Sequence, residues 1–172
     1  MVDTSGYIVE RLDRTHERTA FVSGVEPLDL YLHRQASQDV RRRLTTVYVL
    51  VPLGSTTIAG YYTLSSTAIS FVDLPDDITR KLPRYPHVSA TLIGRLAVDH
   101  RYRGQGLGGR LLFDAFARSL RISEEIASTM VVVDAKDEAA RGFYERYGFR
   151  VLLDQQTRLF LPMETIVRNL NR

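Results

Sequence analysis

The stretch Arg101–Leu112, RYRGQGLGGRLL, decides how this chain is read. Ahead of it lies an apolar, strand-like run, TLIGRLAVD (Thr91–Asp99). After it Leu107, Leu111, Leu112, Ala115, Phe116 and Leu120 recur at helical spacing. Gly104, Gly106, Gly108 and Gly109 let the backbone turn tightly and approach a ligand without Cβ interference. A helix that starts there points its free N–H groups and the positive end of its dipole at the turn. Arg101, Arg103 and Arg110 add full charges. Strand, glycine turn, arginines and helix N-terminus together make a site for phosphate or pyrophosphate, so a nucleotide-containing cofactor is the leading expectation.

Composition bounds the rest. At 172 residues, 44% hydrophobic and 25% charged, the chain is expected to form one globular domain, residues 1–172. No run of about 18 apolar residues is present, and MVDTSGYIVERL lacks the layout of a signal peptide, so a cytoplasmic protein off the membrane is expected. With no cysteine, disulfides, thiol catalysis and Cys-ligated zinc are excluded. His16, His33, His87 and His100 show no ligand spacing, so no metal is assigned.

The charge is uneven. Of 23 basic residues, only Lys81 and Lys136 are lysine. Arginine suits bidentate phosphate contact, although a GC-rich genome would give the same bias. Nine basic and two acidic residues fall between Arg80 and Arg121, a balance of +7, and the remainder of the chain carries −4. A polyanion larger than one pyrophosphate fits that concentration of charge.

The flanking segments read as a mixed α/β domain with one central sheet. Gly6–Leu12 is a strand. Glu26-Pro27 opens a helix with Leu28, Tyr31, Leu32, Ala36 and Val40 on one face, ending in Arg41-Arg42-Arg43. That triplet is a solvated helix end or an RNA contact. Thr45–Val51 and Thr57–Phe71 form a hairpin around Pro52–Ser55. Leu74–Pro86 is a loop with a short helix over Asp76–Lys81, and Thr91–Val98 is the next strand. Met130–Asp134 is a buried strand, and Asp137–Phe149 is a helix capped by Asp137 and Gly148. Two short strands follow, broken at Pro162, and a short helix closes the chain.

Read literally, Gly104, Gly106 and Gly109 fit GxGxxG, and Asp134 ends the next strand where a ribose-binding acid would sit; that spelling describes a dinucleotide-binding oxidoreductase. In that fold, however, the first glycine follows the strand almost directly. Here Asp99–Arg103 intervene, and the two meandering strands before the motif do not fit repeated strand–helix–strand winding. Arg103, Gly106 and Gly108 spell R-x-x-G-x-G instead, and FYERYGF (Phe143–Phe149) follows one strand and one helix later. Both features resemble the GNAT N-acetyltransferases, whose acetyl-CoA pyrophosphate loop lies between a fourth strand and a helix. GVEPLDLYL, ASQDVRRR, IAGYYTLSS and IGRLAVD extend the likeness to the GNAT-type toxins of bacterial type II toxin–antitoxin modules.

The resemblance implies a GNAT fold with a central, mostly antiparallel sheet flanked by helices. It implies acetyl-CoA as donor, aminoacyl-tRNA acetylated on its α-amino group as substrate, arrest of translation, a ribbon-helix-helix antitoxin as partner, and a homodimer. Backbone and side chains of Arg103, Gly104, Gln105, Gly106, Leu107, Gly108, Gly109 and Arg110 would hold the pyrophosphate. Backbone of Leu96, Ala97 and Val98 would pair with the pantetheine arm like an added strand, and an N–H there can polarise the thioester carbonyl. Asp137 stands where many members carry an Asn that meets the pantetheine arm, so the resemblance places it among the cofactor-binding residues, and it can also cap its helix. By the same resemblance Tyr144 is the general acid for the departing thiolate. A phenol of pKa about 10 stays protonated beside a thiol of about 8.5. Phe143, Tyr147 and Phe149 read as core neighbours.

No general base is evident. An α-amine of pKa roughly 7.7–8.0 needs less help than a lysine at about 10.4, and Glu26, Asp29 or a water chain can serve. Arg80, Lys81, Arg84 and Arg95, with Arg41, Arg42 and Arg43, are the expected tRNA phosphate contacts. The rival readings are a GNAT enzyme for a small-molecule or protein amine, and a CoA- or nucleic-acid-binding module without turnover.

Overall fold

The structure, a computed structural model, describes residues 5–172. Its strands are β1 (Tyr7–Arg11), β2 (Thr46–Pro52), β3 (Gly60–Ser70), β4 (His87–Val98), β5 (Met130–Asp134), β6 (Arg150–Leu152) and β7 (Gln155–Pro162). Its helices are α1 (Glu26–Leu30), α2 (Ala36–Arg41), α3 (Asp76–Thr79), α4 (Leu107–Glu125), α5 (Glu138–Arg146) and α6 (Met163–Leu170). The seven strands follow the order β1-β2-β3-β4-β5-β7-β6. β1/β2, β2/β3, β5/β7 and β6/β7 are antiparallel. β4 and β5 are parallel, which requires a crossover, and α4 supplies it. This is the mixed, mostly antiparallel α/β sheet expected from the sequence.

Contacts divide the chain into two compact units, each discontinuous in sequence. Unit one holds the described residues up to Ser65 together with Gly94–Ala115, and unit two holds Ser66–Ile93 and Phe116–Arg172. In unit one, Val47, Val49 and Val51 of β2 pack with Phe21, Leu28, Leu32, Ile58 and Tyr61. Residues Val47 to Val51 are buried on both faces of their strand, which is why they are apolar without alternation. Gly60 opens β3 where space is short: a Cβ there would lie 2.8 Å from Leu111 Cδ1 and 3.0 Å from the Ala97 carbonyl oxygen. In unit two, Met130 and Val132 of β5 pack with Ile69, Val88, Ala90 and Phe160, and Leu74 joins them from the chain after β3.

Three boundaries differ from the sequence reading. The helix expected from Glu26 onward is interrupted by a π-helical turn, Tyr31–Gln35. Leu28, Leu32, Ala36 and Val40 are spaced by four, wider than 3.6 residues per turn, and the wider turn keeps them on one face. β4 begins at His87, four residues before the apolar run. His87–Ala90 alternate exposed and buried, and the Thr129 N–H and hydroxyl both donate to the Ser89 carbonyl, at 2.9 and 2.7 Å. β3 begins at Gly60 because Thr57 bridges to Glu17 instead of continuing the hairpin.

Candidate active site

In unit one, β4 leads into a short 3-10 turn, His100–Tyr102, and then into the glycine loop. Gly104 and Gly106 have φ of +78° and +71°, the left-handed region where a side chain is strained. α4 starts directly after them, and its first helical bond runs from the Arg110 N–H to the Gly106 carbonyl. The N–H groups of its first turn therefore face the loop with no partner inside the helix. Positive-φ glycines feeding a helix N-terminus make a concave row of donors, and that donor set fits a pyrophosphate.

The loop is organised by Asp99, a residue that the sequence offered only as a spacer. Its side chain is 0% exposed. It accepts the N–H of Val22 at 3.0 Å, the N–H of Arg101 at 2.9 Å, and Arg101 Nε and Nη2 at 3.0 and 3.1 Å. Burial works against its ionisation, but the bonds from Arg101 and from the two backbone N–H groups outweigh it, and the carboxyl is held below its ordinary range. Arg101 is thereby committed to Asp99 rather than to a phosphate. An aspartate two residues before a bonded N–H is the signature of an Asx turn, the one local signal that could have flagged it.

Further bonds tie this loop to the segment before α1. The His100 N–H donates to the Val22 carbonyl at 2.9 Å, and Arg103 Nη2 donates to the Ser23 carbonyl. A Cβ on Gly24 would lie 2.9 Å from that guanidinium nitrogen. Ser23 gives its N–H and its hydroxyl to the buried Asp29 of α1, at 2.8 and 2.6 Å. His33 Nε2 stands 2.7 Å from the Phe21 carbonyl oxygen. Asp29, a candidate base in the sequence, is thus occupied in shaping this turn. Gln105 Oε1 accepts the Tyr7 hydroxyl at 2.8 Å.

The β4–β5 ladder covers Thr91–Ile93 against Val131–Val133, and β4 runs on to Val98. Within that extension Ala97 is buried in the unit-one core, whereas Leu96 and Val98 are half-buried. Ala97 therefore takes the core role that Leu96–Val98 also read as.

Tyr144 lies in unit two, on α5, and is 5% exposed. Phe143 and Phe149 meet its ring edge-on, with centroids 5.2 and 5.4 Å away, and Phe149 stacks on Phe116 at 5.9 Å. Among the described residues its hydroxyl has no hydrogen-bond partner. Burial, reinforced by the nearby charge of Asp134, pushes the phenol well above its usual pKa. Asp137 caps α5 as expected, accepting the Ala140 N–H at 2.8 Å, and Gly148 ends the helix at φ +94°. Asp134 is held by Arg158 at 2.8 Å, which occupies the carboxylate a dinucleotide ribose would need.

The basic residues separate by environment. In unit one Arg95 is half-buried, with its guanidinium 3.5 Å above the Tyr31 ring. Arg41, Arg42 and Arg43 are exposed at the end of α2, and Arg43 takes φ +59° there. In unit two Arg80, Lys81 and Arg84 are exposed; among the described residues Arg80 and Arg84 make no ion pair and Lys81 acts on Asp77 only through its charge, whereas Arg150 and Arg158 are paired with Asp77 and Asp134. Among the described residues no three His, Asp or Glu side chains gather as a metal site, and no helix is long and apolar enough to cross a membrane.

A glycine loop that opens the crossover helix between two parallel strands is the arrangement of a CoA-dependent acyltransferase. The chain belongs to the GNAT acetyltransferase family: the profile described as "Acetyltransferase (GNAT) domain" matches residues 66–151. It is 34% identical over 167 residues to a probable toxin TacT of Sinorhizobium fredii, covering 92% of each chain. It is 31% identical over 161 residues to a tRNA-acetylating toxin of Mycobacterium tuberculosis, covering 93% of this chain and 95% of that one. Among solved structures, AtaT complexed with acetyl-methionyl-tRNAfMet superposes with a TM-score of 0.89 at 27% identity, over 95% of this chain and 99% of that chain.

Proposed function

We propose that this protein is a translation-blocking toxin that transfers an acetyl group from acetyl-CoA to the α-amino group of an aminoacyl-tRNA. The observation that carries the reading is Tyr144, a buried phenol kept protonated, with its hydroxyl unpartnered, in an acetyltransferase-family domain. Relatives over nearly the whole chain act on tRNA or are complexed with its acetylated form, which supports the substrate.

Acetyl-CoA, when bound, supplies an activated thioester. The loop from Arg103 to Arg110 holds the pyrophosphate through the backbone N–H groups that open α4. Arg103 fixes the loop against Ser23 and adds positive charge. The backbone of Leu96–Val98 receives the pantetheine arm and polarises the thioester carbonyl. The neutral α-amine would displace the sulfur from the acetyl carbon, the Tyr144 hydroxyl would hydrogen-bond to the departing sulfur, and the proton lost by the acylated nitrogen would end on that sulfur, leaving the phenol neutral and CoA as a free thiol. Asp137 keeps Tyr144 in place by capping α5.

Arg80, Lys81 and Arg84, with Arg41–Arg43, meet tRNA phosphates, and Arg95 contributes through its position on Tyr31. The protein acts in the cytoplasm as a homodimer and is neutralised by a ribbon-helix-helix antitoxin. The test is transfer of labelled acetyl from acetyl-CoA to aminoacyl-tRNA by wild type and by Tyr144→Phe, repeated from low to high salt. Transfer by wild type alone, falling steeply with salt, is expected. Transfer that is equal in both forms or flat in salt defeats the reading.

A further inference from the structure

The chain between β3 and β4 forms a strap that presents a cleft of about 870 Å³ in unit two. Leu74, Ile78 and Leu82 anchor the strap in the core beside Val88. The Phe71 N–H donates to the Pro86 carbonyl at 3.0 Å, which joins the two ends, and the Tyr85 N–H donates to the Pro83 carbonyl at 2.9 Å. Tyr85 directly precedes Pro86, which restricts its backbone. Yet Tyr85 is 64% exposed and Val72 is 74% exposed. Arg80, Arg84 and His87 line the same cleft, and among the described residues no acidic side chain does. An exposed aromatic ring on a restrained backbone, beside two arginines with no carboxylate in the cleft among the described residues, is a surface on which a nucleobase can stack while its phosphates are met.

We propose that this cleft seats an unpaired nucleotide of the RNA substrate, with the base stacked on Tyr85 and the adjoining phosphates contacted by Arg80 and Arg84. The identification of that RNA as the acetyl acceptor rests on the function proposed above; the stacking site itself does not. Single-stranded RNA fits the cleft better than a duplex, whose bases are already stacked and offer no free face.

The sequence contains no tryptophan, so Tyr85→Trp places a unique fluorophore at the cleft. The variant is titrated with a short single-stranded RNA, with the same RNA as a duplex, and with inorganic polyphosphate. Saturable quenching by the single strand, but not by the duplex or by polyphosphate, is expected. Emission that stays constant to millimolar single strand, or that responds equally to all three, overturns the proposal. Emission that shifts with protein concentration in the absence of RNA also overturns it and makes the patch a face between copies. In steady-state transfer, Tyr85→Ala should raise the KM for aminoacyl-tRNA about tenfold, with Tyr85→Phe restoring it and the KM for acetyl-CoA unmoved. Should wild type transfer no acetyl to tRNA, the functional reading fails while the fluorescence titration still decides the cleft.

Discussion

The glycine loop of unit one and the Tyr144 region of unit two hold their chemical groups by opposite means. The loop is fixed by polar bonds converging on one buried carboxylate, Asp99, and on the Ser23–Asp29 turn. Tyr144 is fixed by ring contacts with Phe143 and Phe149, and its hydroxyl takes no part in holding it. A group held by hydrogen bonds to a charge depends on pH and fails when one partner is removed. A group held by packing tolerates loss of its polar atom and loses chemistry alone. Stability and reactivity should therefore separate at Tyr144 and travel together at Asp99.

Tyr144→Phe gives the largest effect. It should lower kcat by about 10²–10⁴-fold, the usual range for a proton donor, with little change in Tm. Steady-state transfer and a thermal melt measure the two sides. A fall of several degrees in Tm would show that the hydroxyl holds structure after all and would erase the contrast.

Asp99→Ala comes next. It leaves the N–H groups of Val22 and Arg101 without their acceptor, each worth about 1–3 kcal/mol when buried. A loss of about 3 kcal/mol in urea unfolding is expected, with a raised KM for acetyl-CoA because the loop loses its anchor. Asp99→Asn, which keeps one acceptor oxygen, should lose less. Unchanged acetyl-CoA affinity in a destabilised Asp99→Ala protein would separate the anchor from the loop.

The pH response sharpens the same division. The Asp99 carboxyl lies below its ordinary pKa in the folded protein, so its contribution is present above about pH 4 and is lost as pH falls through the native value. Tyr31, raised to about 12 mainly by burial, and Tyr144, raised further, behave in the reverse sense. Their contribution is complete below about pH 10 and is lost as pH rises through the native values. Urea unfolding across pH should show an acid limb that Asp99→Asn reduces, Asp13 and Asp77 being held low as well, and an alkaline limb that it does not touch. Loss of the alkaline limb in Asp99→Asn would mean that this carboxylate and the buried phenols are coupled.

What the sequence disclosed follows the range of the interactions. RYRGQGLGGR and FYERYGF are legible because a glycine turn, an N-cap and a helical stripe are local. Gly104, Gly106, Asp137 and Gly148 do what their residue types dictate. Asp99 and Ser23 were not legible, because their partners lie 77 residues apart, as in Asp99–Val22, or 80, as in Arg103–Ser23. The commitment of Arg101 to Asp99 removes a charge that the sequence had assigned to phosphate. The exposure of Tyr85 is likewise a tertiary fact, since a tyrosine between prolines reads equally well as core.

The smallest effect lies at Asp137, where structure and resemblance give one carboxylate two duties. As a cap its oxygen accepts the Ala140 N–H at 2.8 Å, and removing a cap costs about 1 kcal/mol. Serine caps nearly as well as aspartate but has a shorter reach and no charge. If capping is the whole role, Asp137→Ala lowers Tm by a few degrees and Asp137→Ser restores it, with kcat/KM for acetyl-CoA following Tm in both. If the carboxylate also touches the pantetheine arm, Asp137→Ser recovers stability but leaves kcat/KM for acetyl-CoA low. The pair of variants thus decides whether the packed tyrosine region contributes any polar contact to the donor, or whether polar recognition of the donor belongs to the glycine loop and the strand that leads into it.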